Sequence, residues 1–223
     1  MGRGTPGTDI RHRYLRLLNE PLELSERHLD ALREVVNIGA GHAASALSSL
    51  VREKVLLGVP RVVVAPFADA AASVAAAARP AVALKVQVLG DLAGSAVFLM
   101  REKDARELTR QLLRRPGQED TPADERMAES ALKEVGNILG AAYLNALATL
   151  IGVTLLPSIP ELVTGDPAAV VGAAFGEGAP GDIAVSVETE FHVGEKAPAP
   201  IGYFLFCPQR VAVRRILDAL RVD

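Results

Sequence analysis

Two copies of one short segment carry the residues of this sequence best suited to chemistry. The segments read LREVVNI at 32–38 and LKEVGNI at 132–138. Each places a Glu three residues before an Asn: Glu34 and Asn37, then Glu134 and Asn137. An amide can donate and accept hydrogen bonds, while a carboxylate adds negative charge and acceptor oxygens. Core packing gives a reason to repeat apolar residues but not these polar ones, so the pairs are candidates for contact with another molecule.

The first pair is predicted to lie on a long amphipathic helix. Ser25 is a suitable N-cap, Glu26 follows in the first turn, and a periodic stretch continues to about Lys54. Apolar residues recur at steps of three and four, which indicates one buried stripe. This stripe consists of Leu29, Leu32, Val36, Gly39, Ala43, Leu47 and Leu50.

The second pair is predicted to lie on an equivalent helix. Thr121 is interpreted as its N-cap, with Pro122 at the first helical position and Asp124 at the third. The predicted buried stripe of this helix consists of Leu132, Gly136, Leu139, Tyr143, Leu147 and Leu150.

Helical geometry places both polar pairs away from the core. At about 100° per residue, the centre of the first stripe lies about 180° from Glu34. Asp30, Asn37 and Gly41 lie within about 60° of Glu34, because residues three, four and seven apart share a helix face. The equivalent residues around Glu134 are Ser130, Asn137 and Ala141. Both Glu–Asn pairs are therefore expected on exposed helix faces.

Residues beside each pair favour contact with another molecule over simple solvation. Ile38 and Ile138 are expected to be at least partly exposed, and Gly41 or Ala141 leaves room for close approach. A single exposed Glu–Asn pair is usually only a solvated helix face. Asn is unfavourable within helices, however, because its amide competes for backbone hydrogen bonds. Its presence twice beside the same Glu favours function, with a relic of duplication as the remaining alternative.

The whole chain is predicted to be a duplication. Seven of sixteen positions are identical between 32–47 and 132–147. Each long helix is followed by a β-like segment containing a proline, Pro60 or Pro160, then a short element, a hairpin and a closing helix. The short element at 67–79 is predicted to be a helix, whereas the glycines of 166–175 leave its structure open. The hairpin strands are predicted at 81–90, 94–100, 182–193 and 201–207, and the closing helices near 103–114 and 208–221.

These elements predict an α+β fold in which two halves share one largely antiparallel sheet around a pseudo-twofold axis. Residues 1–21 are expected to be a flexible extension. The two repeats are placed at 22–115 and 121–223, together forming one globular domain.

Composition excludes several classes of function. The 223 residues are 49% hydrophobic and 23% charged, with a net charge of −3 and no basic cluster suited to nucleic acid. Cys207 is the only cysteine, so an intramolecular disulfide and a thiolate zinc site are excluded. We find no secretory signal and no apolar run long enough to span a bilayer. The four histidines are scattered, without paired carboxylates at ligand spacing. A cytoplasmic protein without its own metal or cofactor is expected.

The spacing around the pairs resembles that of a known family. From Asp30 to Pro60 the pattern is D-x3-E-x2-N-x22-P, and from Ser130 to Pro160 it is S-x3-E-x2-N-x22-P. This resembles the signature of the CheC-type chemotaxis phosphatases, the group that includes CheC, CheX and FliY. Both copies match at every defined position, and the duplication is similar to the stand-alone members with two sites.

This resemblance implies removal of phosphate from the aspartyl phosphate of a CheY-like response regulator. It implies that Asn37 and Asn137 orient the attacking water, and that Glu34 and Glu134 anchor a lysine of the partner. The Mg²⁺ of the reaction would belong to the partner's active site. A CheD-like deamidase is implied as a further partner. The alternative is a non-catalytic binding module of the chemotaxis or flagellar-switch apparatus, although such a role would not require intact Glu–Asn pairs.

Overall fold

The computed structural model describes residues 25–91, 93–113, 124–175, 183–195 and 199–208. Two predictions therefore lie outside the described residues: the N-terminal extension and the last closing helix beyond residue 208.

The described elements of the second half repeat the first six elements of the first half in the same order, as the duplication predicts. The first half consists of α1 (Glu26–Val51), β1 (Val55–Leu57), β2 (Arg61–Pro66), α2 (Phe67–Ala77), β3 (Ala81–Gly90), β4 (Gly94–Arg101) and α3 (Glu102–Leu113). The second consists of α4 (Glu125–Ile151), β5 (Leu155–Pro157), β6 (Glu161–Gly165), α5 (Pro167–Phe175), β7 (Ile183–Val193) and β8 (Ile201–Pro208). The predicted α+β class is confirmed, and the segment left open by its glycines is helix α5.

The eight strands form one antiparallel sheet in which the halves exchange strands. Its order is β1-β7-β8-β4-β3-β5, with β2 also paired to β7 and β6 to β3. The first half thus adds β1 and β2 to a strand of the second half, which returns β5 and β6 to β3. The hairpins meet at the β4–β8 pair, where Phe98 lies opposite Phe204. The sheet therefore depends on both repeats.

Helices cover both faces of this sheet. The long helices α1 and α4 pack against each other and against one face, in a core that includes Leu84, Val86 and Val88 of β3. The short helices α2 and α5 pack against the other face, where Ala81 and Ala83 of β3 lie. Successive residues of a strand point to opposite faces, so one strand supplies both cores. The long helices consequently have one buried side and one side open to solvent.

Contrary to the expectation from the sequence, one helix in the described part of the chain, α4, is long and apolar enough to cross a membrane when judged by length and composition alone. Half of the most apolar 18-residue stretch of this helix is buried inside the protein, however, in contact with α1 and the sheet. A buried core helix passes the same test of length and composition, so α4 is weak evidence for a membrane span.

The helix ends confirm one prediction and correct two. Ser25 is the N-cap of α1: its hydroxyl accepts a hydrogen bond from the His28 N–H, and His28 Nδ1 accepts one from the Ser25 N–H. The N-cap of α4 is Asp124 and not Thr121, because the Asp124 carboxylate accepts from the Arg126 N–H at 3.3 Å.

The second correction concerns the predicted core stripes, whose last members Leu50 and Leu150 are 51% and 46% exposed. They lie in the final helical turns, just before the chain leaves each helix through a left-handed C-cap.

The contact between the long helices requires a glycine in α1. A Cβ atom at Gly39 would lie 2.6 Å from Cδ1 of Tyr143 and 3.1 Å from its Cα. The helix backbone can approach Tyr143 closely only because position 39 has no side chain.

The core of α4 gives a prediction for stability. Leu139 is fully buried, and we expect Leu139→Ala to lower the free energy of unfolding by about 3–5 kcal/mol, because a cavity replaces the lost methyl groups. The control Leu150→Ala removes the same groups from an exposed site and should cost less than about 1 kcal/mol. Urea denaturation followed by circular dichroism would measure both, and equal losses would contradict the burial described for this helix.

Candidate functional site

Both Glu–Asn pairs lie on the solvent side of the long helices. Glu34 and Asn37 are exposed on α1, and Glu134 and Asn137 are exposed on α4. Because both helices pack on the same face of the sheet, the two pairs lie on one side of the molecule. The exposed positions expected from the angular pattern are confirmed for all four side chains.

The four polar side chains have no hydrogen-bonding or ion-pair partner among the described residues. Across the described residues, none of them makes a hydrogen bond or an ion pair with another side chain or with the backbone. The apolar cavity between the long helices and the sheet is lined by core residues such as Val36 and Tyr143, and by neither pair. Their polar groups are therefore available to a partner that approaches the helices from outside.

The residues one turn before the two Glu residues differ in their contacts. Asp30 forms an ion pair with Arg33 at 2.7 Å. In the second copy Ser130 occupies this position, and the basic residue Lys133 instead pairs with Glu129 at 2.6 Å. Both ion pairs are exposed and contribute little to stability. In each copy, a basic residue next to the Glu is thus held by another acid of the helix.

The apolar residue after each Asn is also placed differently in the two copies. Ile38 is 45% exposed, as the angular pattern predicts. Ile138 is half-buried and packs against the core formed by the long helices and the sheet. One turn beyond each Asn, Gly41 is exposed, whereas Ala141 is half-buried. The first copy therefore presents more apolar surface, and less side-chain bulk, around its Asn.

The two signature prolines lie outside the polar faces. Pro60 lies in the short connection between β1 and β2, and Pro160 is buried between β5 and β6. The N–H of Gly58 donates to the Glu190 carbonyl at 2.9 Å, so this connection runs against β7. Proline is suited to a break between edge strands, because it cannot donate to a ladder.

Exposed apolar residues beside these prolines are a feature that the sequence reasoning missed. Val59 is 92% exposed and Ile159 is 86% exposed, at equivalent positions of the two repeats. Their position next to Pro60 and Pro160 could have predicted this exposure. Apolar residues in a β-like segment are equally compatible with a buried strand, however.

The described part of the chain contains no cluster of three or more His, Cys, Asp and Glu side chains placed to hold a metal ion. Each of the two Glu–Asn faces presents an amide and a carboxylate on a convex helix surface. Such a site suits insertion into the active site of another protein better than enclosure of a small molecule.

Comparison with known proteins agrees with these features. A model described as the CheC-like family matches residues 28–64 and 127–163, which contain both Glu–Asn pairs and both prolines. The CheY-P phosphatase CheC of Bacillus subtilis (strain 168) is 38% identical over 140 residues, covering 62% of this chain and 67% of that protein.

Two solved structures show the same fold at low sequence identity. FliY of Thermotoga maritima matches with a TM-score of 0.70 and 20% identity, covering 89% of this chain and 98% of the other. The FliM middle domain from H. pylori matches with a TM-score of 0.59 and 18% identity, covering 88% and 99%.

Proposed function

The chain belongs to the CheC-like family, and from this membership we propose that it is a phosphatase of a CheY-like response regulator. Its substrate is the aspartyl phosphate of the regulator, which it hydrolyses to aspartate and inorganic phosphate. The observation that carries the proposal is the pair of exposed Glu–Asn faces, whose four side chains make no hydrogen bond or ion pair within the described structure.

In this proposal Asn37 and Asn137 orient the attacking water. Catalysis of phosphoryl transfer consists mainly of positioning and charge stabilisation, and the nucleophile must lie in line with the bond that breaks. A neutral amide can accept from the water and donate to a phosphoryl oxygen, whereas a carboxylate would be repelled by those oxygens. Both amides are exposed, so each can enter the partner's active site.

Glu34 and Glu134 anchor the regulator. Each carboxylate lies one helical turn from its Asn and attracts a lysine of the partner that neighbours the phosphoryl group. This ion pair fixes the distance between the amide and the phosphorus, because both residues belong to one rigid helix. Asp30 and Ser130 support the partner contact from the preceding turn, and Pro60 and Pro160 shape the chain beside the helices.

The protein brings no cofactor to this reaction. The Mg²⁺ that neutralises the phosphoryl oxygens is part of the regulator's own site and therefore of the substrate. On this proposal the reaction takes place in the cytoplasm. A CheD-like deamidase is a second partner, to be tested by binding.

A direct assay tests the proposed activity. CheY of Bacillus subtilis, phosphorylated with acetyl phosphate in the presence of Mg²⁺, loses phosphate spontaneously after the donor is removed. We expect catalytic amounts of this chain to speed that loss at least about tenfold, with more than one turnover per molecule. A decay rate that does not depend on the concentration of the chain would contradict the proposal.

A non-catalytic binding module is the second candidate. The fold is shared with the FliM middle domain, so the fold alone does not distinguish the two functions. The same assay separates them: a binding module would associate with the phosphorylated regulator and leave its decay unchanged or slower. The two intact Glu–Asn pairs favour the phosphatase, because binding through another surface would place no requirement on them.

A further inference from the structure

The two copies of the site differ at the residue one turn beyond each asparagine. This residue is Gly41 in α1 and Ala141 in α4. Glycine destabilises a helix interior relative to alanine, so a glycine in mid-helix calls for a reason. For Gly39 and Gly136 the reason is close packing inside the protein. An added Cβ would lie 2.6 Å from Tyr143 Cδ1 at Gly39 and 2.5 Å from Leu84 Cδ1 at Gly136.

Gly41 has no such internal reason. Apart from its chain neighbours and the α1 backbone around it, no atom in the described part of the chain lies within 4 Å of the place that its Cβ would occupy. The same is true of Gly140 and Gly172, but Gly140 is buried, and Gly172 belongs to α5 on the other face of the sheet. Gly41 alone among these three is exposed on the Glu34–Asn37 face, so the space beside it is available to a partner at that face.

The isoleucine that follows each asparagine is also more exposed in the first copy than in the second. Ile38 is 45% exposed beside Asn37, whereas Ile138 packs against the core beside Asn137. The first copy thus offers a partner apolar surface and, at Gly41, a helix position without a side chain, although the Gly41 carbonyl accepts from the Ser45 hydroxyl at 2.9 Å. The second copy offers less apolar surface and carries the methyl group of Ala141 at the position equivalent to Gly41.

From these differences we infer that the first copy binds the phosphorylated regulator more tightly, and that Gly41 is the residue mainly responsible. The inference rests on the proposed phosphatase function. At Gly41 the surface of the regulator reaches van der Waals contact with the α1 backbone, which seats the Asn37 amide fully in the partner's site. At Ala141 the methyl group holds the regulator farther from α4. Gly41 is a positioning residue, because it acts through the approach of the partner and not on the reacting atoms.

The test exchanges the two residues in chains that retain one site. Asn137→Ala leaves the first copy active, and Asn37→Ala leaves the second. With phosphorylated CheY of Bacillus subtilis as the probe, we expect KM of the first copy to be about tenfold lower, since one methyl group in a close contact changes binding by roughly 10- to 200-fold. Gly41→Ala should raise KM of the first copy about tenfold, and Ala141→Gly should lower KM of the second several-fold. In both exchanges kcat should change less than KM.

Stability measurements separate partner contact from damage to the fold. Gly41→Ala should raise Tm by about 2 °C, because the methyl group enters open space and favours the helix. Gly172→Ala is the matched control: it makes the same change at an exposed helical glycine with open space, should also raise Tm, and should leave KM unchanged. A merely structural role for Gly41 would not give a more stable chain with a weaker substrate interaction.

A binding measurement distinguishes failure of the inference from failure of the proposed function. The dissociation constant for CheY locked in its active form with beryllofluoride should follow the same order as KM. If the unaltered chain is active but the exchanges leave KM and this constant unchanged, the inference is wrong and the phosphatase proposal stands. If the unaltered chain does not accelerate phosphate loss, the phosphatase proposal fails, and the dissociation constants alone decide whether Gly41 controls approach.

Discussion

Replacing both Asn37 and Asn137 by alanine is expected to reduce the acceleration of phosphate loss from the regulator on the order of 100-fold or more. The double variant lacks both amides that orient the attacking water, so only binding of the regulator remains. We expect the change to appear in kcat, with KM altered little, because the Glu carboxylates still hold the partner. The decay of phosphorylated CheY at several concentrations of the chain would measure both constants.

The fold should not suffer from this double substitution. Both asparagines are exposed and have no hydrogen-bonding partner in the described structure, and alanine is the better helix former by roughly 0.5 kcal/mol at each position. The matched control is Asn145→Ala, which removes an exposed amide from α4 two turns beyond Asn137. It should leave kcat unchanged. A double variant as active as the unaltered chain would show that the amides do not orient the water.

The exposure of these residues could be predicted because it depends on local geometry alone. A repeat of 3.6 residues fixes which residues share a helix face, so Glu34 and Asn37 were separated from the buried stripe without knowledge of the sheet. The strands and the short helix α2 were predictable for the same reason, since alternation and turn residues are local signals.

Features that depend on contacts between distant residues could not be predicted in this way. Ile38 and Ile138 occupy equivalent positions in the same seven-residue segment, yet only Ile138 packs against the core. The difference arises from the neighbours of each helix, which the angular pattern does not contain. The exchange of β1 and β5 between the halves is likewise a matter of long-range pairing, for which the sequence offers only a pseudo-twofold expectation.

The start of α4 shows a third limit. The segment TPADE contains two residues that can cap a helix, Thr121 and Asp124, and either fits the preferences for helix starts. The structure uses Asp124, three residues later. Capping preferences identify the type of residue but not which of two neighbouring candidates the packed helix selects. The error leaves the site unchanged, because both starts give the same helix face around Glu134.

Replacing Glu34 and Glu134 by glutamine is expected to weaken binding of the regulator and leave the chemical step largely intact. Glutamine keeps the size and the hydrogen-bonding oxygen of the side chain but removes its charge. A hydrogen bond to a charged group contributes about 1.5–3 kcal/mol, so losing its charged character should raise KM roughly 10- to 100-fold. The expected split is therefore opposite to that of the asparagines: glutamate variants change KM, and asparagine variants change kcat.

Salt provides an independent measure of the same contact. If each carboxylate attracts a lysine of the regulator, KM of the unaltered chain should rise with ionic strength, because salt screens charges at an interface. The double Glu→Gln variant should respond less to salt, since it lacks the charge being screened. Glu129→Gln, which removes a carboxylate paired with Lys133 on the same helix, is the control and should keep the salt dependence of the unaltered chain. The double Glu→Gln variant and the unaltered chain could instead show the same salt dependence. This result would mean that Glu34 and Glu134 do not anchor a cation of the partner. Their role would then be hydrogen bonding without charge pairing.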